Sequence, residues 1–352
     1  MSNYDTSKPV MITGATGYVA GRIIERLLEE GFTVHATVRD PSKTEKLAGL
    51  NALAERLPGN IRYFEADLLE ADSYADAMEG CGVVFHTASP FTIAVNDPQK
   101  DLIEPAQLGT RYVLEEANRQ ESVERVVVTS SCAAIYGDNA DLAKAKGSKF
   151  TEEDWNTSSS LDHQAYSYSK TLAEREAWKI AEAQDRWKLV VINPSLVLGP
   201  GIVTHGSSES YSIIKQFGDG KMKAGVPDYG MGIVDVRDLA DAHVAAGFRP
   251  EANGRNIVSA HDSSFAEIGK ILREEIGGDY PFPKKMMPKW LVWLVAPMVE
   301  KSMTRKIISR NVGVPFRADA SKAQRELGVT FRPLKETLTD MFQQMVDAGM
   351  FE

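Results

Sequence analysis

Thr13-Gly14-Ala15-Thr16-Gly17-Tyr18-Val19-Ala20 stands between an apolar run at 9–13 and an amphipathic stretch at 17–30 that stops at Gly31. A strand, a glycine-rich turn and a helix in that order suit a pyrophosphate. Gly14 permits the tight turn, and Gly17 lets phosphates approach the backbone at the helix N-terminus, where free N–H groups and the helix dipole favour anions. Ala20 takes the third position, where close helix–strand packing tolerates one methyl. The competing reading, a structural turn with no ligand, is disfavoured because a strand precedes the turn and a helix follows it.

Strand and helix patterns continue to alternate outward from this turn. Strands are expected at 32–38, 61–66, 83–87, 125–129 and 189–192. Helices are expected from Pro41 to about 57, with Asp40 as N-cap, then at 73–79, 98–120 and 165–183. A polar insertion fills 137–164. The alternation predicts a Rossmann-type α/β fold, a doubly wound parallel sheet with helices on both faces. Regularity fades after Asn193-Pro194. Residues 199–232 read as loops with one helix near 210–217, short strands follow at 233–236 and 256–259, and the remainder is helical. The expected organisation is a dinucleotide-binding domain at 1–195, rejoined by about 231–260, and a smaller, mostly helical substrate-binding part drawn from 196–352.

The 352 residues, 43% hydrophobic and 25% charged, describe a soluble globular protein. A net charge of −9 argues against nucleic acid as a partner. Cys81 and Cys132 lie in or beside apolar runs and read as reduced structural thiols. The six histidines are scattered, so no metal site is expected. The N-terminus lacks the apolar core of a signal peptide. The most apolar run, 290–299, contains Pro297 and is too short to span a bilayer. It reads as a buried helix or a lid over a hydrophobic pocket in preference to a membrane-resting face. No stable membrane insertion is expected, a cytoplasmic location follows by elimination, and a monomer or homodimer is expected.

NAD and NADP are told apart at the end of the second strand, by an acid on the ribose or an arginine on the 2′-phosphate. Here the chain reads Thr37-Val38-Arg39-Asp40. The acid's position is apolar, so NADP(H) is expected, held by Arg39 with Lys46 as a second ligand. Asp67-Leu68, after the third strand, is placed to meet the adenine or to cap a helix. The turn residues Thr13, Gly14, Thr16, Gly17, Tyr18 and Val19 complete this end of the cofactor site.

Tyr166-Ser167-Tyr168-Ser169-Lys170 supplies the chemistry. Tyr-x-x-x-Lys also occurs at Tyr4/Lys8 and Tyr211/Lys215, but only this copy follows both the glycine turn and a strand ending in Thr129-Ser130-Ser131. Tyr166 and Lys170 share one helix face. A protonated Lys170 is expected to lower the phenol's pKa, so that Tyr166 donates a proton to a carbonyl oxygen as hydride reaches the carbon. Ser131 is expected to orient that oxygen in preference to Ser130, which points the opposite way in an extended strand.

With these motifs in order, the chain resembles the extended branch of the short-chain dehydrogenase/reductase superfamily. Thr37-Val-Arg-Asp-Pro41, Phe85-His-Thr-Ala-Ser-Pro90, Tyr168-Ser-Lys-Thr-Leu-Ala-Glu174 and Asn193-Pro194 are similar to the dihydroflavonol reductase-like family, which includes cinnamoyl-CoA reductases and fungal methylglyoxal and aldehyde reductases. The resemblance implies Ser131, Tyr166 and Lys170 as catalytic and Arg39 as the 2′-phosphate ligand. It places Ala88 and Ser89 near the nicotinamide ribose and Pro194 near the carboxamide. Thr87, Thr129, Leu196 and Val197 complete the expected cofactor contacts, and Ser89, Pro90, Ser131, Tyr136 and Ser208 are the expected substrate contacts. Two departures matter. Tyr136 replaces the substrate-binding asparagine of plant flavonoid reductases, and Asp162-His-Gln-Ala-Tyr166-Ser replaces the Lys-Asn-Trp-Tyr-Cys-Tyr of cinnamoyl-CoA reductases. A general reductase of apolar or aromatic aldehydes or ketones is therefore expected. The alternatives are a nucleotide-sugar epimerase or dehydratase, which would favour an acid near position 38, and a non-catalytic NADP sensor, which would lack the tyrosine or lysine.

Overall fold

The computed structural model describes residues 4–89, 97–204, 208–300 and 302–352. In chain order the first half runs β1 (Val10–Ile12), α1 (Tyr18–Glu29), β2 (Thr33–Val38), α2 (Thr44–Arg56), β3 (Asn60–Glu65), α3 (Ala75–Met78), β4 (Val83–His86), α4 (Glu104–Arg119), β5 (Arg125–Thr129), α5 (Ala165–Ala181) and β6 (Lys188–Pro194). The second half runs β7 (Leu196–Leu198), α6 (Glu209–Gly218), β8 (Val226–Pro227), β9 (Gly230–Asp235), α7 (Val236–Phe248), β10 (Gly254–Val258), β11 (His261–Ser264), α8 (Phe265–Glu275), β12 (Met286–Met287), α9 (Lys289–Val299), α10 (Arg305–Asn311), α11 (Ser321–Glu326) and α12 (Leu334–Asp347).

Seven strands form one parallel sheet in the order β10-β6-β5-β4-β1-β2-β3. Both faces are covered, and the strand period of two sorts the core. Val10, Ile12, Phe85 and Val127 pack on the face that carries α1 and α7, while Met11, Val84, Val126 and Val128 pack on the face that carries α4 and α5. The strand order reverses between β1 and β4. That makes a crevice at their carboxyl ends, where doubly wound sheets take ligands. β9 pairs with β7 and β11 in a separate three-stranded sheet. With α6, α8 and α12 it encloses a third core around Phe217, Ile233 and Phe342.

Three expectations need correction. α2 begins at Thr44, not Pro41, because the Asp40 carboxylate is used in a turn, accepting from the Ser42 amide (3.0 Å) and the Ser42 hydroxyl (2.6 Å). Strands β7, β8, β11 and β12 were not expected; they are two to four residues long and leave little periodic signal. α9 is not a buried helix: only Val292 is buried within it, and Trp290 is 69% exposed.

Candidate active site

Thr13 is fully buried just beyond β1. Its hydroxyl accepts the amide N–H groups of Thr87 (3.0 Å) and Ala88 (2.9 Å) and donates to His86 Nδ1 (3.0 Å). That exhausts its hydrogen-bonding capacity inside the protein, so Thr13 acts by clamping the turn to the segment after β4. Thr87 returns the contact, its hydroxyl donating to the Thr13 carbonyl at 2.5 Å. Burial, then the nearby Lys170 charge, brings His86 down to about 3, and it stays neutral as an acceptor.

Gly14 has φ +66°, and a Cβ there would come within 3.1 Å of the Ala88 Cβ. A Cβ at Gly17 would meet the Gly14 carbonyl at 3.1 Å. Gly17 caps α1 without any side-chain hydrogen bond, and the first helical turn holds no acid. Exposed Thr16 and the first residues of α1, Tyr18 and Val19, border this opening; the Tyr18 hydroxyl donates to the Gly199 carbonyl at 2.5 Å. Backbone and dipole are thus presented to an anion with no carboxylate competing. At the end of β2, Arg39 is exposed and makes no ion pair among the described residues, because Asp40 is taken by Ser42 and by Lys43 (3.1 Å). Lys46 is exposed in the first turn of α2. A dinucleotide phosphate with a further 2′-phosphate fits these residues. Asp67, after β3, accepts the Leu69 amide at 2.8 Å and so holds a turn. Leu68 lies against Gly109 of α4, where a Cβ would fall 2.3 Å from its Cγ.

Ser131, Tyr166 and Lys170 come together beyond the carboxyl ends of β4 and β5. Ser131 leaves β5 in extended conformation (φ −163°, ψ 155°), and its side chain lies near enough to the Tyr166 phenol to act on its pKa. Its oxygen also accepts the Ala133 amide at 3.1 Å. Ser130 is turned away and donates to Glu174 at 2.5 Å. Tyr166 is 48% exposed, open to the cleft, although protein surrounds its hydroxyl. That desolvation, then the Glu209 carboxylate at the start of α6, pushes the phenol up to about 12 against the opposing pull of the Ser131 side chain. The expected lowering by Lys170 is therefore not found here. The ammonium sits 5.7 Å from the Tyr166 ring centre and donates instead to Ser89 Oγ at 2.8 Å. Desolvation brings Lys170 itself down to about 8.

The other expected residues fall into two groups. Ala88, Ser89, Thr129 and Lys170 line a cavity together with His86. Thr129 donates to His243 Nε2 at 2.7 Å; His243 is held neutral, at about 4, by burial. Pro194 ends β6, and Leu196 and Val197 open β7. Tyr136, by contrast, stacks on Phe150 (4.6 Å between ring centres) and lies 5.2 Å from Phe316. Ser208 caps α6 without a side-chain bond, one residue before the Glu209 that faces Tyr166. Pro90 lies outside the described residues.

Several supporting residues were not anticipated. Glu174 follows Lys170 by four positions on α5 and is buried. Its carboxylate accepts from Ser130, from Asn193 Nδ2 (2.7 Å) and from Arg255 Nε (2.5 Å). Asn193 also donates to the Ser131 carbonyl at 3.2 Å. One buried carboxylate thereby ties together the ends of β5 and β6, β10 and α5. Helical spacing from Lys170 was the available signal for Glu174. Gln164 starts α5 in the left-handed region (φ +56°), uncommon for such a residue. His163 beside it donates to Asp138 (2.8 Å), which also accepts from Arg310 (2.5 Å) and Asn311 (2.8 Å) of α10.

Residues 10–259 match the family model described as "NAD dependent epimerase/dehydratase family". The chain is 32% identical to cinnamoyl-CoA reductase CAD2 of Medicago truncatula over 98% of both chains. It is 29% identical to a dihydroflavonol 4-reductase of Gerbera hybrida over 97% of this chain and 86% of that one. Among solved structures, yeast methylglyoxal/isovaleraldehyde reductase Gre2 complexed with NADPH superposes with a TM-score of 0.78 at 27% identity, covering 98% of this chain and all of the other.

Proposed function

The chain belongs to the NAD dependent epimerase/dehydratase family, and on that premise we propose that it reduces an aldehyde or ketone to the alcohol, with Tyr166 as the proton donor. It is an NADP-dependent oxidoreductase akin to the reductases it matches, and its cofactor is NADP(H). Gly14, Gly17 and the start of α1 would hold the diphosphate, Arg39 and Lys46 the 2′-phosphate, and Ala88, Ser89 and Lys170 the nicotinamide end. NADPH, when bound, supplies the hydride.

This chain's own residues handle the proton. With its pKa raised to about 12, the Tyr166 phenol is neutral at physiological pH and carries the proton that a nascent alkoxide requires. The Ser131 hydroxyl, beside that phenol, would share a carbonyl oxygen with it. Lys170 is charged at neutral pH and, engaged with Ser89 Oγ at 2.8 Å, would hold the nicotinamide end of the cofactor beside the phenol. One carbonyl, one NADPH and one proton give one alcohol and one NADP⁺.

The observation that carries this reading is the meeting of Tyr166 and Lys170 beyond the carboxyl edge of the sheet: the ammonium lies 5.7 Å from the Tyr166 ring centre and donates at 2.8 Å to Ser89 Oγ, next to the Ala88 that lies against Gly14 of the glycine turn. The test is NADPH oxidation by the purified protein against a panel of aldehydes, ketones and nucleotide sugars. Consumption with carbonyl compounds, and alcohol formed in equal amount, is expected. Conversion of a nucleotide sugar without net loss of NADPH would replace the proposal.

A further inference from the structure

We propose that α9 docks the protein on an anionic phospholipid surface, lying in the headgroup layer and not crossing it. Seven of the eleven exposed large apolar side chains among the described residues fall within 286–299, so exposure is concentrated at one place. Trp290 and Trp293 stand on it with Leu294, and Met298 and Val299 are 84% and 81% exposed. Contiguous apolar surface of this kind marks an interaction site. Eleven residues make a helix of about 16 Å, about half of a bilayer's hydrocarbon thickness. A segment of that length with tryptophans on its surface suits the interfacial layer.

Charge selects the partner. The chain as a whole carries −9, yet residues 284–310 hold seven lysines and arginines against one acid, Glu300. Lys284, Lys285 and Lys289 are exposed before and at the start of α9, and Arg305 and Lys306 are exposed after it. Apolar residues bracketed by cations match anionic lipid, where hydrophobic burial and electrostatic attraction act together. A second copy is a poorer fit, because two-fold pairing would set one cation cluster against the same cluster. The face is also held in place by the fold. Val292 packs with Ile308 and Val312, the Arg305 guanidinium lies 4.5 Å from the Trp293 ring centre, and Lys289 donates to the Ser309 carbonyl at 2.8 Å.

The test is sedimentation of the full chain with vesicles of phosphatidylcholine alone and of phosphatidylcholine mixed with phosphatidylglycerol. Binding to the mixed vesicles, weak binding to the neutral ones and partial release by salt are expected. Leu294→Glu, and separately Lys284→Glu with Lys285→Glu, should each lower binding to mixed vesicles about tenfold or more. Each variant should keep the wild-type melting temperature and its rate of carbonyl reduction in solution. Failure of the wild type to bind mixed vesicles overturns the proposal. So does binding that neither variant weakens. A wild-type dimer that Leu294→Glu turns into a monomer, with no vesicle binding, would assign the face to a second copy instead.

Discussion

Replacing Arg39 with alanine is expected to separate the two nicotinamide cofactors. Arg39 stands at the end of β2, exposed and without an ion pair among the described residues, while Asp40 is occupied by Ser42 and Lys43. Its guanidinium is therefore available to a 2′-phosphate without first breaking a bond inside the protein. A charged hydrogen bond contributes about 1.5–3 kcal/mol. Because Arg39 is exposed, solvent and salt screen the pair, and the low end applies, about 1.5 kcal/mol or roughly tenfold in Kd. Lys46 retains part of the attraction. The assay is fluorescence titration of wild type and Arg39→Ala with NADPH and NADH at two salt concentrations. NADPH should weaken about tenfold, less at high salt, and NADH should be nearly unchanged. Equal losses for both cofactors would show that Arg39 does not read the 2′-phosphate.

Four further outcomes follow from the same geometry. Tyr166→Phe should nearly abolish turnover and leave NADPH affinity intact. Tyr211→Phe, in the same local motif, should keep its activity and lose stability by about 1–3 kcal/mol in urea titration, since the buried Tyr211 hydroxyl bonds Gln344 and accepts the Gly201 amide. Desolvation sets Lys170 at about 8, so its charge is present below that pH and lost above it. The kcat/KM for reduction should therefore fall about tenfold from pH 7 to pH 9, and Tyr166 stays protonated throughout; a flat profile would exclude the lysine's charge as a requirement. Glu174→Ala leaves the buried Arg255 guanidinium without its carboxylate and should cost about 3–5 kcal/mol of stability, read by urea unfolding, with Glu174→Gln costing less.

The doubly wound sheet was legible because its signals are periodic and repeated. The glycine turn, the β-branched run at 125–129 and the amphipathic 17–30 each declare their element locally. The Tyr166/Lys170 pair was distinguishable from its two copies only through order along the chain, and the structure explains the difference. Tyr211 is sealed in a core and Lys215 donates to the Met350 carbonyl, whereas Tyr166 opens on a cleft. What could not be read depends on contacts far apart in sequence. Nothing local in Arg255 says that it reaches Glu174 across 81 residues. The direction of the Tyr166 pKa was also hidden, because it turns on desolvation, Glu209 and the engagement of Lys170 with Ser89. An apolar run such as 290–299 is the same sequence whether covered or bare, and only packing distinguishes the two.

The most direct measurement of the central claim follows the hydrogen itself. The protein is given NADPH deuterated at the transferable position of its nicotinamide, together with the aldehyde it turns over fastest, and the product is analysed by mass spectrometry and NMR. The account predicts an alcohol with one deuterium on its carbinol carbon, formed in step with NADP⁺ and lost in Tyr166→Phe. Product without deuterium, or undiminished transfer in Tyr166→Phe, would contradict it.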